Sequence, residues 1–440
     1  MKSTLEMDQL VSLCKRRGFI FQSSEIYGGI NGFWDYGPYG AALKKAIESL
    51  WWKEMVETRL NIEGLDSSII CNPMIWKASG HLDKFGDMMT DCRDCKARHR
   101  VDQMEDPTKC PNCGSSNLTP PREFNLMMKT YVGPVSDEDH VAYLRAETCQ
   151  PIFADFNNVR VSARQQLPFG IAQIGKAFRN EINPRNFIFR SREFSQMEME
   201  FFCFEDESLH WYDYWKNERI NYYKNKLKFS DDVIRIHDHD TLAHYAKAAL
   251  DIEFKFPFGW GELEGVHHRG TWDMSRHQEY SGQNLEYFDQ EKNQKYIPTV
   301  IETSVGLDRT VLAVLSNAYD EDMAETQKEG KSHDVRVVLR FPAYIAPVQV
   351  AVLPLSKKLS EKAESIYKSL RTKYRTEYDE TGSIGKRYRR QDEIGTPFCL
   401  TIDFETMEND SVTIRNRDTM TQDRISADQL KNYFDDKFAF

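Results

Sequence analysis

From Ser195 to Phe204 apolar and polar residues alternate with a period of two. Met197, Met199, Phe201 and Cys203 fall on one face, and Gln196, Glu198 and Glu200 on the other. This pattern predicts a strand whose apolar face packs on a core. Its acidic face sits in an element too apolar for a surface ribbon, so it is expected to floor a polar cavity. Residues 171–178 read as the preceding strand, making 178–204 a hairpin. Helical spacing marks 4–17 (Leu5, Leu10, Leu13, Cys14), 41–59 (Leu43, Ile47, Leu50, Trp51, Met55) and 148–164 (Ile152, Phe156, Val159). Asn72 before Pro73 predicts a capped helix ending at Gly80. Residues 205–250 read as an insertion between two strands, with an aromatic helix over 211–227 and a second helix capped by Asp240 and running through Leu250. Residues 251–256 alternate as a half-buried strand. The polar stretches 266–296 and 319–334 read as exposed excursions, and 296–305 as a strand leading through Gly306 into an apolar helix. From about residue 346, strands alternate with helices, which predicts a separate α/β domain.

Length and charge narrow this picture. A chain of 440 residues exceeds what one core serves, so two or three domains are expected. The longest aliphatic run, Val311 to Leu315, is far too short to span a bilayer, and no secretory signal pattern opens the chain. A net charge of −10 argues against sequence-blind coating of nucleic acid. It leaves one local basic run, Lys386-Arg387-Tyr388-Arg389-Arg390, as a candidate RNA contact or an ordinary solvated helix face. Nine cysteines over this length do not make a disulfide scaffold and point to a reducing cytoplasm. Four of them form two CxxC pairs, Cys92 with Cys95 and Cys110 with Cys113, the spacing of a closed, structural four-thiolate zinc site. His237, His239 and His244 with Asp238 and Asp240 match no such spacing and suit a turn and a cap.

Four arginines (Arg179, Arg185, Arg190, Arg192) crowd the hairpin loop. Guanidinium groups above a carboxylate-bearing sheet face suit a ligand with phosphates at one end and an ammonium at the other. A solvated, charge-balanced loop fits the same spacing. Glu147 precedes a helix it could merely cap. Gly259, Gly261 and Gly265 bracket Glu262 and allow backbone close to a flat ligand. Arg309 stands at a helix start after Gly306, where a guanidinium and backbone N–H groups converge on anion-binding space.

Phe178-Arg179-Asn180-Glu181, the loop, and Arg192-Glu193-Phe194 resemble the second signature motif of class II aminoacyl-tRNA synthetases. The 41–73 helix–strand–proline segment resembles the first, and Gly306-Leu307-Asp308-Arg309 the third. The strings 144–148, 256–265 and 302–309 are similar to those of the homodimeric glycyl-tRNA synthetase family, with the likeness running from about Phe19 to the C-terminus. One departure is Thr303, where the family commonly has proline.

The resemblance implies an α+β fold: an antiparallel sheet flanked by helices over 1–345, with insertions near 81–140 and 205–250, then an anticodon-binding α/β domain over 346–440. It implies glycine, ATP with Mg²⁺, and tRNA(Gly) as partners, a homodimer, no membrane, and a cytoplasmic enzyme. ATP would meet Arg179, Asn180, Glu181, Phe189, Arg190, Phe194, Glu262, Leu263, Gly306, Asp308 and Arg309. Glycine would meet Arg100, Glu147, Glu198, Glu302 and Ser304, with Glu198 also a candidate near the metal. The cysteines would hold zinc, and Lys386, Arg387, Arg389 and Arg390 would touch tRNA. A non-catalytic relative would be expected to have lost Arg179 and Arg309, which this chain keeps. A carrier-protein-loading relative is disfavoured by the C-terminal domain.

Overall fold

The computed structural model describes residues 5–239, 247–324 and 334–439. Seven strands form the main sheet: β1 (Ile62–Gly64), β2 (Phe169–Phe178), β3 (Glu193–Cys203), β4 (Ile234–Asp238), β5 (Ala248–Phe256), β6 (Gly259–Gly270) and β7 (Thr299–Gly306), in spatial order β4-β5-β6-β7-β3-β2-β1. Every neighbouring pair is antiparallel except β1 with β2. Helices α1 (Pro38–Trp52), α2 (Cys149–Ser162), α3 (Ser208–Asn221), α4 (Trp272–Ser281) and α5 (Leu307–Ala318) flank it.

The two-residue period of β3 determines how the layers assemble. Met197, Met199, Phe201 and Cys203 join a core built with Leu43, Ile47, Leu50 and Trp51 of α1 and Val311, Leu312 and Leu315 of α5. Beneath the same core, Glu264 is fully buried against Arg219 at 2.6 Å and the Tyr223 hydroxyl at 2.6 Å. On the opposite face, Phe202, Phe169 and Ile171 pack under Phe153 and Phe156 of α2 and Met274 of α4. That cover stops short of Gln196 and Glu198, and there the sheet face stays open as a cavity.

Three expectations are corrected. Residues 248–250 belong to β5 and not to a helix, because ladder pairing of Leu250 with Val266 overrides the helix propensity of two alanines and a leucine. Asp240 and His244 lie outside the described residues. The stretch 266–296 is not an excursion: it completes β6 and carries α4. Within it His267 and Arg269 turn toward the cavity, while 281–284 and 290–295 remain exposed. Likewise Tyr319–Ala324 pairs with Asp334–Leu339 as a hairpin, whose Asp320 and Asp322 bind Arg340 at 2.8 and 2.6 Å. Residues 325–333 lie outside the described residues.

Between 86 and 125 a three-stranded sheet (Gly86–Asp91, Arg98–Arg100, Arg122–Asn125) carries the cysteine pairs. A second five-stranded sheet follows: β8 (Val350–Pro354), β9 (Thr376–Tyr378), β10 (Phe398–Ile402), β11 (Ser411–Asn416) and β12 (Gln422–Ser426), in order β9-β8-β10-β11-β12. It packs its own core with α6 (Ser360–Arg371) and α8 (Leu430–Phe438), while α7 (Ile384–Ile394) lies on its other face. Arg17 binds Glu393 at 2.6 Å and the Tyr39 hydroxyl binds Glu377 at 2.8 Å, tying the second unit to the first.

Candidate active site

A cavity of about 280 Å³ opens over β3, β6 and β7. Its two ends differ in chemistry because the strands bring different residues to the same face.

Carboxylates converge at the inner end. Arg145, 2% exposed, donates from Nε to the Lys176 carbonyl at 2.6 Å and from Nη1 to the Ser67 carbonyl at 2.9 Å. Gly175 makes room for it, since a Cβ there would meet Nη2 at 2.0 Å. This anchors the segment that presents Glu147 next to α2. Glu198 accepts from the Thr148 N–H at 2.9 Å and the Thr148 hydroxyl through one oxygen, and from Gln196 at 2.9 Å and Ser304 at 2.5 Å through the other. Burial, then Glu302 and Glu147, push its carboxyl up to about 7. Glu302 accepts from His267 Nδ1 at 2.7 Å and from Arg269 Nη1 at 2.7 Å. Burial opposes its ionisation, but Arg269 and His267 outweigh that and hold it at about 2. Glu147 stays well below the ordinary carboxylate range for the same reason: burial is outweighed by His81 at 3.4 Å, Arg269, and Arg179 at 4.0 Å. Glu200, across the ladder from Glu302, is fully buried. Its carboxyl lies well above the usual range through burial and the Glu302 charge.

Arginines and aromatics line the outer end. Arg179 donates to the Ala146 carbonyl at 3.1 Å, with its guanidinium carbon 5.5 Å from the Phe194 ring centroid. Arg309 stacks on Phe189 at 4.4 Å and pairs with Glu262 at 3.1 Å, which holds Glu262 below the usual range. Arg190 faces Glu181 at 3.9 Å. An inner end rich in carboxylates and an outer end rich in guanidinium groups can seat an ammonium and a polyphosphate respectively.

The structure thus brings together Glu147, Arg179, Glu181, Phe189, Arg190, Phe194, Glu198, Glu262, Glu302, Ser304, Gly306, Asp308 and Arg309 around one cavity. Four expectations fare differently. Arg100 binds Asp87 at 2.9 Å and Asp102 at 2.8 Å in the insert and is not a lining residue. Leu263 is buried in the core beneath β6, since it takes the inward phase of the strand, and Asn180 is not a lining residue. Asp308 reaches the cavity, but its oxygens are taken by Lys44 at 2.8 Å, the Tyr36 hydroxyl at 2.5 Å and the Ser195 N–H at 2.6 Å. It fixes the junction of β3, α1 and α5. His267, Arg269 and Asp273 escaped the sequence reading. Arg269 grips Asp273 at 2.7 and 2.9 Å, and the polar i, i+2 spacing of His267 and Arg269 after Gly265 was the available signal.

The four cysteine sulfurs lie within 4.8 Å of one another, with Cys92–Cys113 at 3.7 Å and Cys95–Cys110 at 3.6 Å. A tetrahedral zinc with bonds of about 2.3 Å sets its sulfurs about 3.8 Å apart, so these residues fit the ion. In the second unit, α7 divides the basic run. Lys386 is exposed and Arg389 lines a surface groove with Arg17. Arg387 is 3% exposed and donates to the carbonyls of Pro354 at 2.7 Å and Asp379 at 3.1 Å, and Arg390 binds Asp379 at 2.5 Å. Arg387 is therefore an interior brace rather than a surface cation, because helical spacing carries it inward with Gln391 and Ile394.

Residues 130–318 match the tRNA synthetase class II core domain (G, H, P, S and T), and 349–437 match the anticodon binding domain. The chain is 52% identical over 435 residues to the glycine–tRNA ligase of Treponema denticola, covering 97% of this chain and 96% of that protein. It is 49% identical to that of Acetivibrio thermocellus, covering 99% of both, and 51% identical to that of Borreliella burgdorferi, covering 98% and 97%. In fold it is similar to a prolyl-tRNA synthetase from Cryptosporidium parvum solved with L-proline and AMP, at a TM-score of 0.66 and 15% identity over 99% of this chain and 76% of the other. This chain belongs to the glycine–tRNA ligase family of class II tRNA synthetases.

Proposed function

We infer that this chain is an ATP-dependent ligase that joins glycine to the 3′ end of tRNA(Gly). A glycine carboxylate oxygen attacks the ATP α-phosphorus, the bond from that phosphorus to the bridging oxygen breaks, and pyrophosphate leaves. A hydroxyl of the terminal ribose then attacks the glycyl carbonyl and AMP leaves. Neither step needs a covalent enzyme intermediate, so positioning and charge stabilisation dominate. The observation that carries this reading is the single cavity with carboxylates at one end and Arg179 and Arg309 at the other.

In this reading Arg179 stabilises charge on the α-phosphate. Arg309 exchanges Glu262 for the far phosphates, Arg190 supports phosphate, Phe194 stacks on adenine, and Glu181 contacts the adenine. Glu147, Glu198, Glu302 and Ser304 hold the ammonium, with Arg269 and His267 fixing Glu302. Mg²⁺ bound with ATP would supply screening of the phosphate charge. In this reading glycine is selected by steric exclusion, since a tight pocket rejects a larger side chain by overlap. Glycine-dependent ATP–pyrophosphate exchange tests the assignment.

The finer features belong to the same proposal. Cys92, Cys95, Cys110 and Cys113 would hold a closed, structural zinc. Residues 1–345 would form the catalytic unit and 346–440 the tRNA-reading unit, with Lys386 and Arg389 as its outward cations. A homodimer is supported by exposed Leu60, Ile69, Ile70 and Met74 along the helix–strand–proline segment, and light scattering after gel filtration tests it. A cytoplasmic site is supported by nine free thiols. Among the described residues no helix is long and apolar enough to cross a membrane.

A further inference from the structure

Behind the amino-acid end of the cavity, side chains from two neighbouring strands and from the residue just after a third present ligand atoms within 4.8 Å of one another: Asp251, His267 and His239. The order β4-β5-β6 puts them side by side. His239 follows the last residue of β4, Asp251 lies on β5, and His267 lies on β6 two residues beyond Gly265, the ladder partner of Asp251. Gly265 permits the arrangement, because a Cβ there would meet His267 Nε2 at 2.8 Å. That ring nitrogen therefore lies over the glycine, toward Asp251. The other ring nitrogen, Nδ1, is bonded to Glu302 at 2.7 Å. His239 Nε2 already touches Asp251 at 2.9 Å, and the two imidazole centroids are 5.9 Å apart.

We propose that His239, Asp251 and His267 form a three-ligand site for a divalent transition metal of zinc's character. Two imidazoles and one carboxylate are a donor set that zinc accepts, and three protein ligands leave a fourth position for water. A metal-binding histidine ordinarily donates its second ring N–H to a carboxylate, which fixes its tautomer and orientation. The Glu302–His267 bond supplies that partner. Tetrahedral donors around an ion with bonds of about 2.0–2.1 Å sit about 3.3 Å apart. The His239–Asp251 contact opens slightly and the His239 ring, one-third exposed, swings toward His267 to reach that spacing. The ion would hold the His267 N–H on Glu302 and couple metal occupancy to the inner end of the cavity. The thiolate cluster is a separate site in the insert at 86–125, so the two ions can be counted separately. The metal site stands whether or not Glu302 binds an ammonium.

The test is elemental analysis of the full chain after equilibration with micromolar zinc and gel filtration. His239→Ala and Asp251→Asn are each expected to hold one zinc fewer per chain than the unaltered protein. His237→Ala serves as the control, because His237 faces Glu253 at 3.4 Å and is not one of the three. Cobalt added to protein whose thiolate cluster already holds zinc is expected to give visible d–d bands without thiolate charge transfer, and His239→Ala protein treated alike to lack them. Equal zinc content in the unaltered protein and in both variants overturns the site. Equal loss in His237→Ala overturns the assignment of these three ligands.

Discussion

Arg269 joins Glu302 to Asp273: Nη1 donates to Glu302 at 2.7 Å, while Nε and Nη2 hold Asp273 at 2.7 and 2.9 Å. The carboxylate assigned to the glycine ammonium is thus pinned by a guanidinium that is itself clamped to α4. Glu302→Gln keeps the size and removes the charge. A charge-assisted hydrogen bond is worth about 1.5–3 kcal/mol, so apparent glycine affinity should fall roughly ten- to a hundredfold while ATP affinity stays near normal. Calorimetric titration with each ligand separates the two. Equal weakening of both would make Glu302 a fold residue instead.

Glycine binding should depend on pH through Glu198, whose carboxyl is raised to about 7 by burial, Glu302 and Glu147. The sign follows from charge: an ammonium favours the ionised carboxylate, so binding draws a proton off Glu198 below that pH. Between pH 8 and pH 6 the ionised fraction drops about tenfold for a group of that pKa, and the Kd for glycine should rise about tenfold with it. In Glu198→Gln binding should be weak at both values and this dependence lost. A pH-independent Kd in the unaltered protein would contradict the role.

The basic run of α7 should split into two phenotypes. Lys386→Glu with Arg389→Glu should lower tRNA charging and flatten its salt dependence, because fewer cations displace counterions from RNA, while leaving pyrophosphate exchange intact. Arg387→Ala strips the buried Pro354 carbonyl and the part-buried Asp379 carbonyl of their charged donor and should destabilise the second unit by about 2–4 kcal/mol, read as a lower melting temperature. Loss of exchange in the surface double variant would mean that the second unit is needed to hold the first together.

Much of this site was legible because β3 alternates strictly. The period-two pattern placed Met197 and Met199 in the core and Glu198 on the cavity floor. β6 gave no such signal, since polar His267 and Arg269 occupy the cavity side of a strand whose other side carries His268, itself fully buried. Hydropathy cannot separate such a strand from a loop. Arg387 was misread for a different reason: a run of cations looks solvent-facing until the helical phase is drawn, and Ile384, Arg387, Gln391 and Ile394 then share one stripe. Contacts such as Lys44 and Tyr36 with Asp308 join residues more than 260 positions apart and leave no local trace.

Zinc content tests the insert. Cys110→Ser should remove the zinc held by the four thiolates and lower the stability of 86–125 without abolishing ATP binding, since the cluster lines no part of the cavity. Unaltered protein that is fully active with no zinc bound at these cysteines would contradict the structural assignment.

The most direct measurement is ATP–pyrophosphate exchange with each of the twenty amino acids, run beside Arg179→Ala. The expected result is exchange with glycine alone, reduced about a hundredfold or more in the variant, the order seen when one preorganised donor to developing charge is removed. Exchange with another amino acid in preference to glycine, or an Arg179→Ala protein as active as the unaltered one, would contradict the assignment of this cavity to glycine activation.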